Sequence, residues 1–147
     1  MGAAQTVSLL DEALTSEKPC HYRILVVDDN EASAKTTMWT LEILGHTVQM
    51  TLDGQTAIGL AKSFHPDIIF LDIGLEGMSG YEVCQAMHKE PILQNTIFLA
   101  LTGWGQKEHR ERSKEAGFDF HLVKPLDIEA LKNILLLVDE KVQSLAA

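Results

Sequence analysis

The chain has 147 residues, 46% of them apolar and 22% charged. That suits one compact unit of about 100 to 150 residues with short appendages, and it excludes disorder and collagen-like or coiled-coil fibres. Twelve basic against 21 acidic residues leave a net charge of −9, so direct nucleic-acid binding is not expected: the phosphate backbone would be repelled. No apolar run approaches the roughly 18 residues needed to span a bilayer, and no secretory signal opens the chain. The expectation is a cytoplasmic protein with no membrane partner. Met1-Gly2-Ala3-Ala4-Gln5-Thr6 fits the short myristoylation pattern, but no basic cluster follows to supply a second membrane signal. Cys20 and Cys84 lie far apart and in no metal-ligand spacing, which argues against a disulfide framework or a zinc site. Cys84 reads as a small apolar residue on a helix.

Residues 1–22 differ from the rest and are read as an extension or linker, in which Thr6 to Leu14 suits a short helix and Ser16-Glu17-Lys18-Pro19 a turn. Residues 23–142 form the domain and 143–147 a tail. From Arg23 onward short apolar runs alternate with helix-period segments, the pattern of βαβ units around a parallel sheet. The first run is Ile24-Leu25-Val26-Val27. A helix follows with Ala34, Met38, Leu41 and Leu44 on one stripe, stopped by Gly45, with Trp39 expected to pack at the stripe's edge. His46-Thr47-Val48-Gln49-Met50-Thr51 alternates and suits an edge strand. Ala57, Leu60, Ala61 and Phe64 mark the second helix, ended by His65-Pro66. Ile68-Ile69-Phe70-Leu71 is the third strand, and Gly80 to Lys89 the third helix. Ile97-Phe98-Leu99-Ala100-Leu101 is the fourth strand, with a helix from Gln106 to Ala116 stopped by Gly117. Phe120-His121-Leu122-Val123 is the fifth strand, and the last helix carries Leu131, Ile134, Leu135, Val138 and Val142 on one side. The run Lys107-Glu108-His109-Arg110-Glu111-Arg112 reads as a solvated helix face.

The informative residues follow the strands: Asp28-Asp29 after the first, Asp72 after the third, Thr102 after the fourth, Lys124-Pro125 after the fifth. In an open α/β sheet these ends meet in one crevice where ligands bind. Carboxylates at about 4 Å repel by roughly 4 kcal/mol per pair at an effective dielectric near 20. One lysine does not offset three acids, so an all-oxygen site for Mg²⁺ or Mn²⁺ is implied. An Asp carboxylate beside such a metal can attack phosphorus to give an acyl phosphate, with Lys124 and the Thr102 hydroxyl as donors to the phosphoryl group. Relieving the repulsion by Asp28→Asn or Asp29→Asn is expected to raise thermal stability without metal. Asp53, Asp67, Asp119 and Asp127 read as cap or turn residues.

Over roughly Tyr22 to Val142 the sequence resembles the receiver domain of two-component response regulators. The residues that carry the likeness are Ile24-Leu-Val-Val-Asp-Asp-Asn30, Phe70-Leu-Asp-Ile-Gly-Leu75 through Gly77-Met-Ser-Gly80, Ala100-Leu-Thr102 and Leu122-Val-Lys-Pro125. The resemblance implies a flavodoxin-like (βα)5 fold, a doubly wound parallel sheet of order 2-1-3-4-5. It implies that Asp72 accepts a phosphoryl group from the phosphohistidine of a histidine kinase or histidine phosphotransfer domain. Asp29 and Asp72 would hold Mg²⁺, with the Gly74 carbonyl as a third protein ligand and Asp28 acting through water. Lys124 would pair with Asp72 and the phosphoryl group, and the bond to Pro125 would be cis. Thr102 would swing toward the phosphoryl oxygens and report to the face of the fourth helix, fifth strand and fifth helix, where an effector protein binds. Such a protein catalyses its own phosphotransfer and autodephosphorylation as a switch and is not a turnover enzyme. A relay protein standing alone and a receiver taken from a hybrid sensor kinase both remain open, as does a homodimer.

Three positions depart from the family pattern. Glu76 stands where a Pro is usual, His121 where a switching Tyr or Phe is usual, and Trp104 where access to the phosphoryl group is controlled. The competing readings are a receiver-like docking module without chemistry, a flavin-binding relative, and an aspartyl phosphatase. Intact Asp29, Asp72 and Lys124 argue against the first. Against the other two stand the lack of a Ser/Thr/Gly-rich phosphate loop after the first strand and the position of the nucleophile on the third.

Overall fold

The computed structural model describes residues 21–103 and 109–146. The elements run β1 (Arg23–Val27), α1 (Glu31–Ile43), β2 (Thr47–Thr51), α2 (Gly54–Phe64), β3 (Ile68–Asp72), α3 (Gly80–His88), a short 3-10 turn (Pro91–Leu93), β4 (Ile97–Thr102), α4 (His109–Ala116), β5 (Phe120–Val123) and α5 (Ile128–Ala146). All strand pairs are parallel, in the order β2-β1-β3-β4-β5. The expected fold is therefore the observed one. Trp104, the segment around Thr6 to Leu14 and Cys20 lie outside the described residues.

Continuous apolar strands build the centre because both sheet faces are covered. Leu25, Val27, Ile69 and Leu71 point to a layer holding Ala57, Ala61 and Phe64 of α2 and Val83, Cys84 and Met87 of α3. Ile24, Val26, Ile68 and Phe70 point to the other layer, with Ala34 and Leu41 of α1 and Leu131, Ile134, Leu135 and Val138 of α5. The β2 edge strand pairs with β1 alone and alternates exposed Thr47 and Gln49 with buried Val48 and half-buried Met50 before buried Thr51 closes it. Among the described residues no helix is long and apolar enough to cross a membrane.

Helix starts are fixed by side-chain caps that satisfy otherwise orphaned amides. Asn30 accepts from the Ser33 N–H at 2.9 Å and Asp53 from Thr56 at 2.8 Å. Asp127 does the same for Ala130 at 2.8 Å. Asp67 accepts from the Arg23 amide at 2.8 Å, and Asp119 from the Phe98 amide at 2.8 Å. These four aspartates serve the chain's turns and caps, as their positions suggested. Gly45 and Gly117 take φ of 101° and 104° at the ends of α1 and α4, a conformation that favours glycine.

Trp39 corrects the sequence reading. It is 56% exposed on α1, because it follows Met38 by one residue and so lies about 100° around the helix, outside the buried stripe. Cys84 is buried in α3, and burial pushes its thiol up to about 12.

Candidate functional site

Parallel register sets the site. Val27 of β1 lies opposite Leu71 of β3, Asp72 opposite Leu101 of β4, and Thr102 opposite Val123 of β5. The residues that follow these positions therefore emerge along one edge of the sheet. One oxygen from each of Asp28, Asp29 and Asp72 lies within 4.8 Å of the others. The Lys124 Nζ donates to Asp28 Oδ2 at 2.7 Å and to Asp72 Oδ2 at 2.6 Å. The Lys124–Pro125 bond is cis.

The two adjacent acids differ sharply in environment. Asp28 is 1% exposed, and its Oδ1 accepts from the Asn30 amide at 3.0 Å. Asp29 is open to solvent. Burial pushes the Asp28 carboxyl up, but the hydrogen bonds from Lys124, Asn30 and Ser33 and the lysine charge together outweigh it, holding the group below its usual value. For Asp72 the balance goes the other way. Burial, helped by the Asp28 charge, raises its carboxyl despite Lys124 and the Gly74 amide, which donates to Oδ1 at 2.7 Å. Burial pulls the Lys124 ammonium down, yet both carboxylates more than reverse this and keep it above its ordinary value.

The loop after β3 packs without room to spare. Gly80 opens α3 directly against the strand end, and a Cβ there would overlap the Asp72 carbonyl and the Ile73 Cα. The Gly80 amide donates back to the Ile73 carbonyl at 3.3 Å. Glu76 and Gly74 are exposed in this loop, so the charge that replaces the usual proline points to water beside the acidic edge.

Thr102 ends β4 at the same edge, buried, with its hydroxyl engaged elsewhere: Oγ1 meets His121 Nε2 at 2.9 Å and the Leu122 carbonyl at 3.4 Å. Sequence reasoning missed this contact, as it missed the pairing of Lys124 with Asp28. The first joins residues 19 apart and the second residues 96 apart. Spacing carries no signal for either.

The donor set is all oxygen, with two carboxylates partly neutralised by lysine and a third facing water, which fits a hard divalent cation such as Mg²⁺. A groove of about 570 Å³ lined by Ser113, Lys114, Phe118, Phe120 and His121 among others runs along α4, β5 and α5.

A family description, "Response regulator receiver domain", matches residues 24–136. The chain is 34% identical over 109 residues to the DNA-binding dual master transcriptional regulator RpaA of Synechocystis sp., covering 74% of this chain and 45% of that protein. It thus spans less than half of that relative. It is 31% identical over 116 residues to the polar-differentiation response regulator DivK of Brucella ovis, 76% of this chain and 94% of DivK. Among solved structures, the receiver domain of sensor histidine kinase PA1611 from Pseudomonas aeruginosa PAO1 superposes with a TM-score of 0.71 at 28% identity, over 79% of this chain and 95% of that one. That receiver has a magnesium ion coordinated in its active-site cleft. Receiver domains bind Mg²⁺ at an acidic site and work with histidine kinases and effector domains. Sequence, fold and comparison agree that the chain belongs to the response regulator receiver domain family of two-component signalling.

Proposed function

We propose that this receiver is a phosphoacceptor switch in which Asp72 takes a phosphoryl group from the phosphohistidine of a histidine kinase or phosphotransfer domain. The observation that carries this reading is the single ammonium of Lys124 bridging Asp28 and Asp72 beside exposed Asp29. An Asp72 oxygen attacks phosphorus, the bond from phosphorus to the donor imidazole nitrogen breaks, and an acyl phosphate forms on Asp72. Lys124 holds the carboxylate in place and follows the charge onto the phosphoryl oxygens. Asp28, Asp29, Asp72 and the Gly74 carbonyl would hold Mg²⁺, which when bound neutralises the incoming phosphoryl charge. Thr102 leaves His121 to donate to a phosphoryl oxygen, which alters the α4–β5–α5 face where an effector docks. Water later hydrolyses the acyl phosphate, so the protein resets itself without turning over a separate substrate.

Incubation with Mg²⁺ and phosphoramidate should add one phosphoryl group by intact-mass measurement. Asp72→Asn should abolish it, and EDTA should suppress it in the native chain. Modification that persists in Asp72→Asn would overturn the assignment.

A further inference from the structure

Among the described residues, the side chains that line the groove of about 570 Å³ along α4, β5 and α5 are rich in hydrogen-bond donors and short of acceptors. Asp119 is the carboxylate there, and both its oxygens are engaged: Oδ1 takes the Lys141 ammonium at 2.8 Å and Oδ2 the Phe98 amide at 2.8 Å. Two donors on α4 are not engaged. Ser113 is 2% exposed, and its hydroxyl meets no hydrogen-bond partner among the described residues, a condition that buried polar groups rarely tolerate unless an acceptor is supplied. Lys114 beside it is exposed and forms no ion pair among the described residues. Across the groove lies His121, whose Nε2 meets the Thr102 hydroxyl at 2.9 Å. One imidazole therefore belongs both to the groove and to the threonine that closes β4 at the acidic edge.

We infer that this groove receives a carboxylate side chain from an acidic peptide segment of the effector, which accepts from Lys114 and Ser113, and from His121 once Thr102 has left it. The inference rests on the phosphoacceptor reading above and adds the chemistry of the partner. A carboxylate accepts only and offers about four lone-pair sites, so it serves several convergent donors at once. Phe118 and Phe120 give the groove apolar walls, which suit the aliphatic neighbours of a single acid in a peptide. A polyanion fits poorly, because a net charge of −9 repels nucleic acid or an anionic membrane at range. One carboxylate already inside the groove is governed instead by charges within about 8 Å, such as that of Lys114. With hydrogen on Nε2, the imidazole that has lost Thr102 donates to the carboxylate. The peptide then makes a contact in the phosphorylated state that it lacks in the resting one, and only such a differential contact lets phosphorylation change its affinity.

NMR titration of the isotope-labelled full chain tests this, with the capped peptide Ala-Leu-Glu-Leu-Ala and its Gln counterpart as probes. Each is titrated with and without Mg²⁺ and excess phosphoramidate, and intact mass reads the phosphoryl group in every sample. The Glu peptide should shift amides of residues 113–121 and bind about tenfold tighter than the Gln peptide. Phosphorylation should tighten the Glu peptide by about fivefold. Lys114→Gln, at an exposed helix position, should erase the preference for Glu, and His121→Phe should erase the tightening. Equal binding of the two peptides, shifts confined to other residues, or a preference that survives Lys114→Gln would overturn the inference. So would a native chain that carries the phosphoryl group without tightening, or tightening that survives His121→Phe. A native chain that gains no phosphoryl group would instead overturn the phosphoacceptor reading, and a preference for Glu in those same samples would still support the acid-binding groove.

Discussion

Replacing Asp72 by Asn in metal-free protein should raise the melting temperature, while the same change at Asp28 should lower it. Carboxylate oxygens within 4.8 Å of one another repel by at least about 3.5 kcal/mol per pair at an effective dielectric near 20. Each contact with Lys124, at 2.6 and 2.7 Å, attracts by about 6 kcal/mol on the same scale. For Asp72 burial comes first and the Asp28 charge adds to it, so together they outweigh Lys124 and the Gly74 amide and the charged form is disfavoured. For Asp28 the additional amide and hydroxyl donors tip the balance toward charge. Relieving even a third of one such carboxylate repulsion gains about 1 kcal/mol, or about 2 to 4 °C at this chain length. Neutralising Asp28 removes one of the two partners of Lys124 and should cost about 1 to 3 kcal/mol.

The pH dependence separates electrostatics from packing. The Asp72 carboxyl has a raised value in the fold, so its penalty is absent below the unfolded value of about 3.9 and complete once pH exceeds the folded one. The gain from Asp72→Asn should then grow from about pH 4 to neutrality. Asp28, held low, contributes stability above about pH 3.9 that is lost as pH falls through its folded value. Thermal melts in EDTA at several pH values read all of this. An Asp72→Asn chain that melts at or below the native temperature at neutral pH would refute the reasoning, as would a gain of equal size at pH values near 4 and 7.

Two further outcomes rest on histidines. In the proposed switch Thr102 leaves its 2.9 Å contact with His121 to reach the phosphoryl group, and one such bond is worth about 1 kcal/mol. His121→Phe should accordingly speed phosphoryl uptake from phosphoramidate by about fivefold, and equal acceleration in a Thr102→Ala background would rule out this route. His46 accepts from the Tyr22 amide at 3.1 Å and stacks on that ring. Burial first, and then the nearby His21, depress its value against an opposing pull from Asp139. Its neutral form stabilises the fold fully above the unfolded value of about 6.5, and the contribution falls as pH drops below that. Urea midpoints should decline between about pH 7 and 5 in the native chain, and His46→Asn should flatten that decline.

The fold was legible because central parallel strands leave uninterrupted apolar runs and because Asp53 and Asp127 stand where a side-chain cap starts the next helix. Convergence of the site was legible for the same reason: parallel pairing keeps strand ends level, so whatever follows Val27, Leu71, Leu101 and Val123 lies on one edge. The allotment of partners within that edge was not. Asp28 and Asp29 are the same residue type in adjacent positions, and a sequence treats them alike. Successive side chains leave a strand end in opposite directions, so one enters the protein to meet Lys124 while its neighbour faces water. That alternation explains why relief of repulsion, expected from the sequence at Asp28 or Asp29, moves in the structure to Asp72. Asp28 is stabilised by what burial brings to it, and Asp29 is too well solvated for its charge to cost much. Asp72 alone is both buried and short of compensating donors, the condition under which a phosphoryl group and a cation have most to offer the fold.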